Sequence, residues 1–157
     1  MTHFNPSAGA YVIGRDTGPN QLTGTVNETV LGSAYIRGNI LGNNGWLEVE
    51  TLWSVPNNAN AKTARIRLFS LANPVFLQSN LANNLGGYFQ TLITNNDATN
   101  SQIGGNVGGG HGLASAALPT DNVNTLADFF IFITGQLANA GDTITLNHFS
   151  VVISPSD

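Results

Sequence analysis

The residues that could do chemistry are few and scattered. Three histidines, His3, His111 and His148, are the available bases. To activate a Ser or Thr, one of them would need that hydroxyl within hydrogen-bond reach and a third group to orient its ring. His3 stands at the N-terminus, His111 lies in a glycine run and His148 interrupts a strand-like alternation, and none belongs to a Gly-flanked nucleophile turn. Glu48 and Glu50 share one face of an expected strand, roughly 7 Å apart, a separation that glycoside hydrolysis could use. Their expected neighbours are Arg65 and Arg67, however, and an adjacent cation lowers a carboxyl pKa and so opposes a general acid. The run Asn95-Asn96-Asp97-Ala98-Thr99-Asn100 offers oxygen ligands with a single carboxylate, which reads as a hydrophilic turn better than as a calcium loop. Gly104-Gly105 and Gly108-Gly109-Gly110-His111-Gly112 lack the Gly-Lys-Ser/Thr ending and the following helix of a phosphate loop. Glycines there permit a flexible loop or a close approach to a neighbour or symmetry axis. The expectation is a protein without enzymatic activity, metal or cofactor.

Composition narrows the classes further. The 157 residues suffice for one domain with its own core, and 41% of them are hydrophobic. Charged residues make up 9%, against roughly 25% in an ordinary soluble domain. Asn, Thr, Ser, Gln and 18 glycines supply the polar remainder. A surface of neutral amides and hydroxyls suits association at fixed geometry better than electrostatic capture. The net charge is −4 with five Lys and Arg together, so nucleic-acid binding is not expected. The absence of cysteine removes disulfides and thiolate chemistry. No basic region followed by an apolar run opens the chain, and no stretch approaches the roughly 18 apolar residues of a membrane span. The expected course is synthesis and folding in the cytosol, with no membrane partner.

The elements that must position these residues read as strands throughout. Short apolar alternations, punctuated by Gly, Asn, Pro and Asp, predict strands over 10–13, 25–31, 34–37, 46–55, 63–71, 75–78, 88–94, 102–107, 113–118, 129–135 and 143–153. The fold class expected is all-β, an antiparallel β-sandwich, with a jelly roll first and an immunoglobulin-like sandwich second. Residues 1–22 form an expected N-terminal arm or partly ordered segment, and 23–157 the single sandwich domain. Leu47 and Val49 alternate with Glu48 and Glu50, and Ala64, Ile66 and Leu68 alternate with Arg65 and Arg67. A hairpin of these two strands would set Glu50 opposite Arg65 and Glu48 opposite Arg67, with both apolar sets inward. In the last strand Ile144 and Leu146 have one parity and Phe149, Val151 and Ile153 the other, which predicts a β-bulge near Asn147 and His148. Phe129-Phe130-Ile131-Phe132-Ile133 is apolar on both faces, as befits a central strand whose second face is covered by a loop or by a partner subunit.

Several stretches together resemble small β-sandwich structural proteins of tailed bacteriophage virions. They are Gly24-Thr25-Val26-Asn27-Glu28-Thr29-Val30-Leu31, Ile40-Leu41-Gly42-Asn43-Asn44-Gly45-Trp46-Leu47, Leu52-Trp53-Ser54 and Asn57-Asn58-Ala59-Asn60-Ala61-Lys62-Thr63-Ala64-Arg65-Ile66-Arg67. The clearest is Ile133-Thr134-Gly135-Gln136-Leu137-Ala138-Asn139-Ala140-Gly141-Asp142-Thr143-Ile144-Thr145-Leu146. The resemblance implies a jelly-roll-like fold, repeated copies on a virion and no catalytic residues. It implies a capsid decoration or cement protein, with a fibre or tail-tip module binding a host glycan or surface protein as the alternative. The expected partners are copies of the chain itself, as a trimer before a dimer, and the major capsid protein or other virion proteins. The expected interface residues are Trp46, Glu48, Glu50, Arg65, Arg67, Gly108, Gly109 and Gly110.

Overall fold

Alternation with a period of two shapes nearly every element. In the strand Lys62–Leu68, Ala64, Ile66 and Leu68 are buried while Thr63, Arg65 and Arg67 are turned partly to solvent. In Trp46–Ser54, Leu47, Val49, Thr51 and Trp53 are buried and the residues between them face outward. The structure is a computed structural model that describes residues 9–105 and 117–156. Among the described residues there are eleven strands and no helix. They are β1 (Tyr11–Asp16), β2 (Asn20–Thr23), β3 (Thr29–Ile36), β4 (Trp46–Ser54), β5 (Lys62–Leu68) and β6 (Val75–Asn80). There follow β7 (Gly86–Asn95), β8 (Gln102–Gly104), β9 (Thr120–Asp121), β10 (Phe129–Leu137) and β11 (Thr143–Ser154).

The larger sheet runs β1-β11-β4-β7-β8-β9, with β2 also paired to β11, and the smaller runs β3-β10-β5-β6. Every pairing is antiparallel. With β8 and β9 set aside as an extension, the two layers have the strand order of a jelly roll, in which most connections cross from one sheet to the other. Their inner faces share one core that includes Ile36, Ile66, Phe76 and Ile131 from the smaller sheet and Val49, Ile93, Ile144 and Val151 from the larger. The layers approach closely at Gly14, where an added Cβ would lie 2.6 Å from the Cβ of Ala34, and at Gly32, where one would lie 2.8 Å from the ring of Phe149. The bulge expected in the last strand is present, as a register shift between Leu146 and His148 against β4.

The expected hairpin is not formed. β4 pairs with β11 and β7, whereas β5 pairs with β10 and β6 in the other layer. The parity was legible and the neighbour was not: Leu47 and Val49 of β4 and Ala64, Ile66 and Leu68 of β5 enter the one core from opposite sheets, so both strands keep their buried faces without pairing edge to edge. Glu48 and Glu50 therefore do not face Arg67 and Arg65. Leu92 and Val152 flank Glu48, and Gln90 and Ser150 flank Glu50. Residues 11–23, inside the stretch expected as an arm, contribute β1 and β2 to the same edge of β11.

One end of the sandwich is closed by a polar knot. Lys62 is fully buried, and its Nζ donates to Asn58 Oδ1 at 2.5 Å, the Asn60 carbonyl at 2.8 Å and the Asn58 carbonyl at 3.3 Å. The side-chain amides of Asn58 and Asn60 in turn donate to the two carboxylate oxygens of Asp142 at 2.7 and 2.9 Å. These bonds, with the ammonium of Lys62 beyond them, hold the Asp142 carboxyl below its ordinary range. The opposite end is held by neutral groups. Asn95 donates to the Gly42 carbonyl and to Thr125, and Gln102 donates to Asn95, all among buried side chains.

Candidate interaction surface

The outer face of the smaller sheet has two halves. Across its centre lies a charged network built on Glu28, which sits just before β3 and reaches over β10. Its carboxylate accepts from Arg67 Nε at 2.8 Å, Arg67 Nη2 at 3.0 Å and Thr134 Oγ1 at 2.6 Å, with Arg65 Nη1 at 3.4 Å. Burial alone would raise the Glu28 carboxyl. The bonds from Arg67 and Thr134, and the charges of Arg67 and Arg65, outweigh it and leave the carboxyl lowered. Arg65 also donates to Gln78 and Gln136. Both guanidiniums are thus committed on their own face. The acid they meet is one residue whose position in sequence, well ahead of either strand, carried no signal of the pairing.

The other half of this face is aromatic. Phe130 and Phe132 project outward from β10, and Tyr35 projects from β3 opposite Phe130. Phe130 and Phe132 are stacked, with centroids 5.9 Å apart and planes 18° apart, and Tyr35 meets Phe130 edge-on at 5.5 Å. Tyr35 and Phe130 remain 51% and 43% exposed. The Tyr35 hydroxyl donates to Asp128 at 2.6 Å, a bond that raises the phenol and lowers the carboxyl. Among the described residues no loop covers Phe130, so of the two covers expected for this doubly apolar strand, the loop is not found.

The outer face of the larger sheet carries Trp46, Glu48 and Glu50 on β4, with Leu52, Tyr88 and Leu92 standing exposed beside them. Glu50 accepts from Tyr88 Oη at 2.9 Å, Gln90 Nε2 at 3.3 Å and Ser150 Oγ at 3.3 Å, all neutral donors. Burial, then the bond to Glu50 and the charges of Glu50 and Glu48, push the Tyr88 phenol up to about 12. The structure therefore divides the expected interface residues between two opposite faces. Gly108, Gly109 and Gly110 lie outside the described residues, as do His3 and His111. His148 is half-buried on β11 near Asp16. Among the described residues no group of three His, Asp or Glu side chains is placed to hold a metal ion. Asn95, the first residue of the run read as a turn, is buried and spends its amide on Gly42 and Thr125.

No family model matches the chain. No curated protein sequence matches it. Among solved structures it is similar to the CBM2 module of Lactobacillus casei BL23 phage J-1 evolved Dit, at 12% identity and a TM-score of 0.39, covering 80% of this chain and 70% of that one. It is also similar to the VP2 subviral particle of infectious bursal disease virus, at 14% identity and a TM-score of 0.33, covering 94% of this chain and 42% of that one. The Gx strain structure of the same virus gives 13% identity and a TM-score of 0.31, with 94% and 40% covered. Likeness at this level carries no argument about function, and the jelly roll stands on the chain's own strand order.

Proposed function

We propose that this chain is a structural protein of a bacteriophage virion, present in repeated copies, that decorates or cements the capsid through protein–protein contacts. The observation that carries the reading is the outward aromatic row of Tyr35, Phe130 and Phe132, in which Tyr35 and Phe130 are exposed. Burying one such ring is worth about 1.5–3 kcal/mol. Beside the row, Arg65 and Arg67 share the carboxylate of Glu28, so part of their charge is already compensated when the row is covered. The jelly-roll order and the sequence resemblance to phage structural domains support the virion assignment. The partners in this reading are further copies of the chain, as a trimer, and the major capsid protein or another virion protein. The row suits a protein partner better than a host glycan. A sugar stacks on an open ring face, whereas Phe130 and Phe132 turn their faces toward each other.

A Tyr35→Ser/Phe130→Ser variant tests this. Because both side chains are half exposed, its melting temperature should stay within a few degrees of the parent. Its occupancy on particles assembled in its presence, read by quantitative mass spectrometry, should fall by about tenfold or more. Undiminished occupancy would remove the row from the function. Sedimentation of the purified chain should report a trimer, and a strict monomer that still occupies the particle would overturn the self-association.

A further inference from the structure

An open hollow lies between the loop joining β5 to β6, the loop joining β7 to β8, and β9. Its volume is about 590 Å³, within the range of about 300–1,000 Å³ usual for small-molecule sites. Asn73, Asn100, Ser101, Thr120, Asp121 and Asn122 supply its polar lining. Ala72 and Pro74 supply a small apolar patch.

The frame of this hollow is fixed from behind. Asp121 Oδ2 accepts from Asn73 Nδ2 at 3.0 Å, and Asp121 Oδ1 accepts from the Asn122 N–H at 2.8 Å. Asn73 Oδ1 accepts from Ser70 Oγ at 2.6 Å, and the Asn73 carbonyl accepts from Arg67 Nη1 at 2.6 Å. Arg67, anchored on Glu28, thereby positions the loop that carries Asn73. The same loop begins at Phe69, whose φ of 67° is left-handed and unfavourable for a bulky side chain. Phe69 is held there by its N–H bond to the Phe130 carbonyl and by stacking on Phe129. The second rim is tied by Asn96 N–H to the Ser101 carbonyl and by Ser101 N–H to the Ala98 carbonyl. Among the described residues, no internal hydrogen bond engages the side chains of Asn100, Ser101, Thr120 or Asn122. The rims are thus built, while the groups facing the hollow keep their donors and acceptors for something else.

We infer that this hollow is a binding site for a neutral hexopyranose unit. Among the described residues the lining contains no Lys, Arg or His, so phosphates, sulfates and acidic sugars find no counter-charge there. The described lining contains no aromatic or long aliphatic side chain, so an apolar ligand finds no cover there. Its single carboxylate already accepts one bond on each oxygen, which leaves too few ligands for a cation. A sugar hydroxyl donates and accepts at once, and so do the amides of Asn100 and Asn122 and the hydroxyls of Ser101 and Thr120. The spare lone pairs of Asp121 accept a further hydroxyl, and Ala72 with Pro74 meets the C–H side of the ring. Without a stacking platform each site binds weakly, with a dissociation constant on the order of 1 mM.

Backbone amide spectra of the full ¹⁵N-labelled chain test the assignment. The probes are methyl α-D-glucopyranoside, methyl α-D-galactopyranoside, methyl α-D-mannopyranoside and N-acetyl-D-glucosamine, with calcium chloride and sodium phosphate as ionic controls. At least one glycoside should shift the amides of Asn73, Ser101, Asp121 and Asn122 saturably, while both salts leave them in place. Asp121→Ala should weaken that binding by about tenfold or more. Because Asp121 also fixes Asn73, Asn100→Ala serves as a second variant that leaves the frame intact, and it too should weaken binding. No saturable shift at tens of millimolar glycoside would overturn the inference. So would a response to calcium or phosphate at these amides, or binding that survives in both folded variants.

Discussion

The two outer faces of the sandwich use similar residues to opposite ends. On the smaller sheet one carboxylate, Glu28, meets two guanidiniums and a hydroxyl, and all three charged side chains are no more than 18% exposed. On the larger sheet Glu50 meets a phenol, an amide and a hydroxyl, and no cation bonds to it. The first arrangement offsets one of its two positive charges and ties β5 and β10 to the segment leading into β3. The second leaves its negative charge standing and passes part of it to Tyr88. A chain with few charges has therefore not spread them evenly. Beside the aromatic row a carboxylate offsets one of two positive charges, whereas Glu50 on the other face meets only neutral donors.

Removing the shared acid should cost most. Glu28→Gln leaves Arg65 and Arg67 facing each other with little compensation, and should destabilise the fold by about 2 kcal/mol in urea denaturation. The sign of the pH dependence follows from the lowered carboxyl. Its contribution is fully present above the ordinary value of 4.5 and is lost as pH falls through the folded value. The gap between parent and variant should accordingly close in acid, and a gap independent of pH would show that Glu28 acts by packing alone. On the other face, Glu50→Gln should change stability by less than about 0.5 kcal/mol. It should move the Tyr88 titration, followed by phenolate absorbance, down from about 12 toward the ordinary 10. Glu48→Gln should move it in the same direction by less, since Glu48 acts on Tyr88 through charge without a hydrogen bond. Equal shifts from the two variants would break the distinction between bonded and merely nearby carboxylates.

The layers of this molecule were more legible in the sequence than its neighbours. Period-two alternation identified which side of β4, β5 and β11 is buried, and the change of parity after Leu146 located the bulge. Alternation says nothing about which strand lies alongside. A jelly roll sends successive strands to opposite sheets, so the nearest complementary charges in sequence, Glu48 with Arg67 and Glu50 with Arg65, end on different faces. β2 was missed because Leu22 is its one buried side chain, too little for a pattern. The hollow was invisible for a related reason. Asn73 and Asn100 come from two separate connections and Asp121 from β9, and no spacing along the chain links them until the two sheets close.

The buried ammonium of Lys62 bears on the order in which the chain folds. Its acceptors lie two to four residues away, but the carboxylate that orients them is 82 to 84 residues further along. Until β10 and β11 dock, the side-chain amides of Asn58 and Asn60 lack the Asp142 carboxylate that orients them. Completing this end therefore waits on contacts distant in sequence, in a topology already slow for its dominance of non-local pairings. Interactions made after the transition state govern how fast a protein opens more than how fast it forms. Lys62→Met should therefore steepen the loss of native protein in unfolding kinetics while leaving the refolding rate nearly unchanged, which makes this end of the sandwich the latch that sets its lifetime.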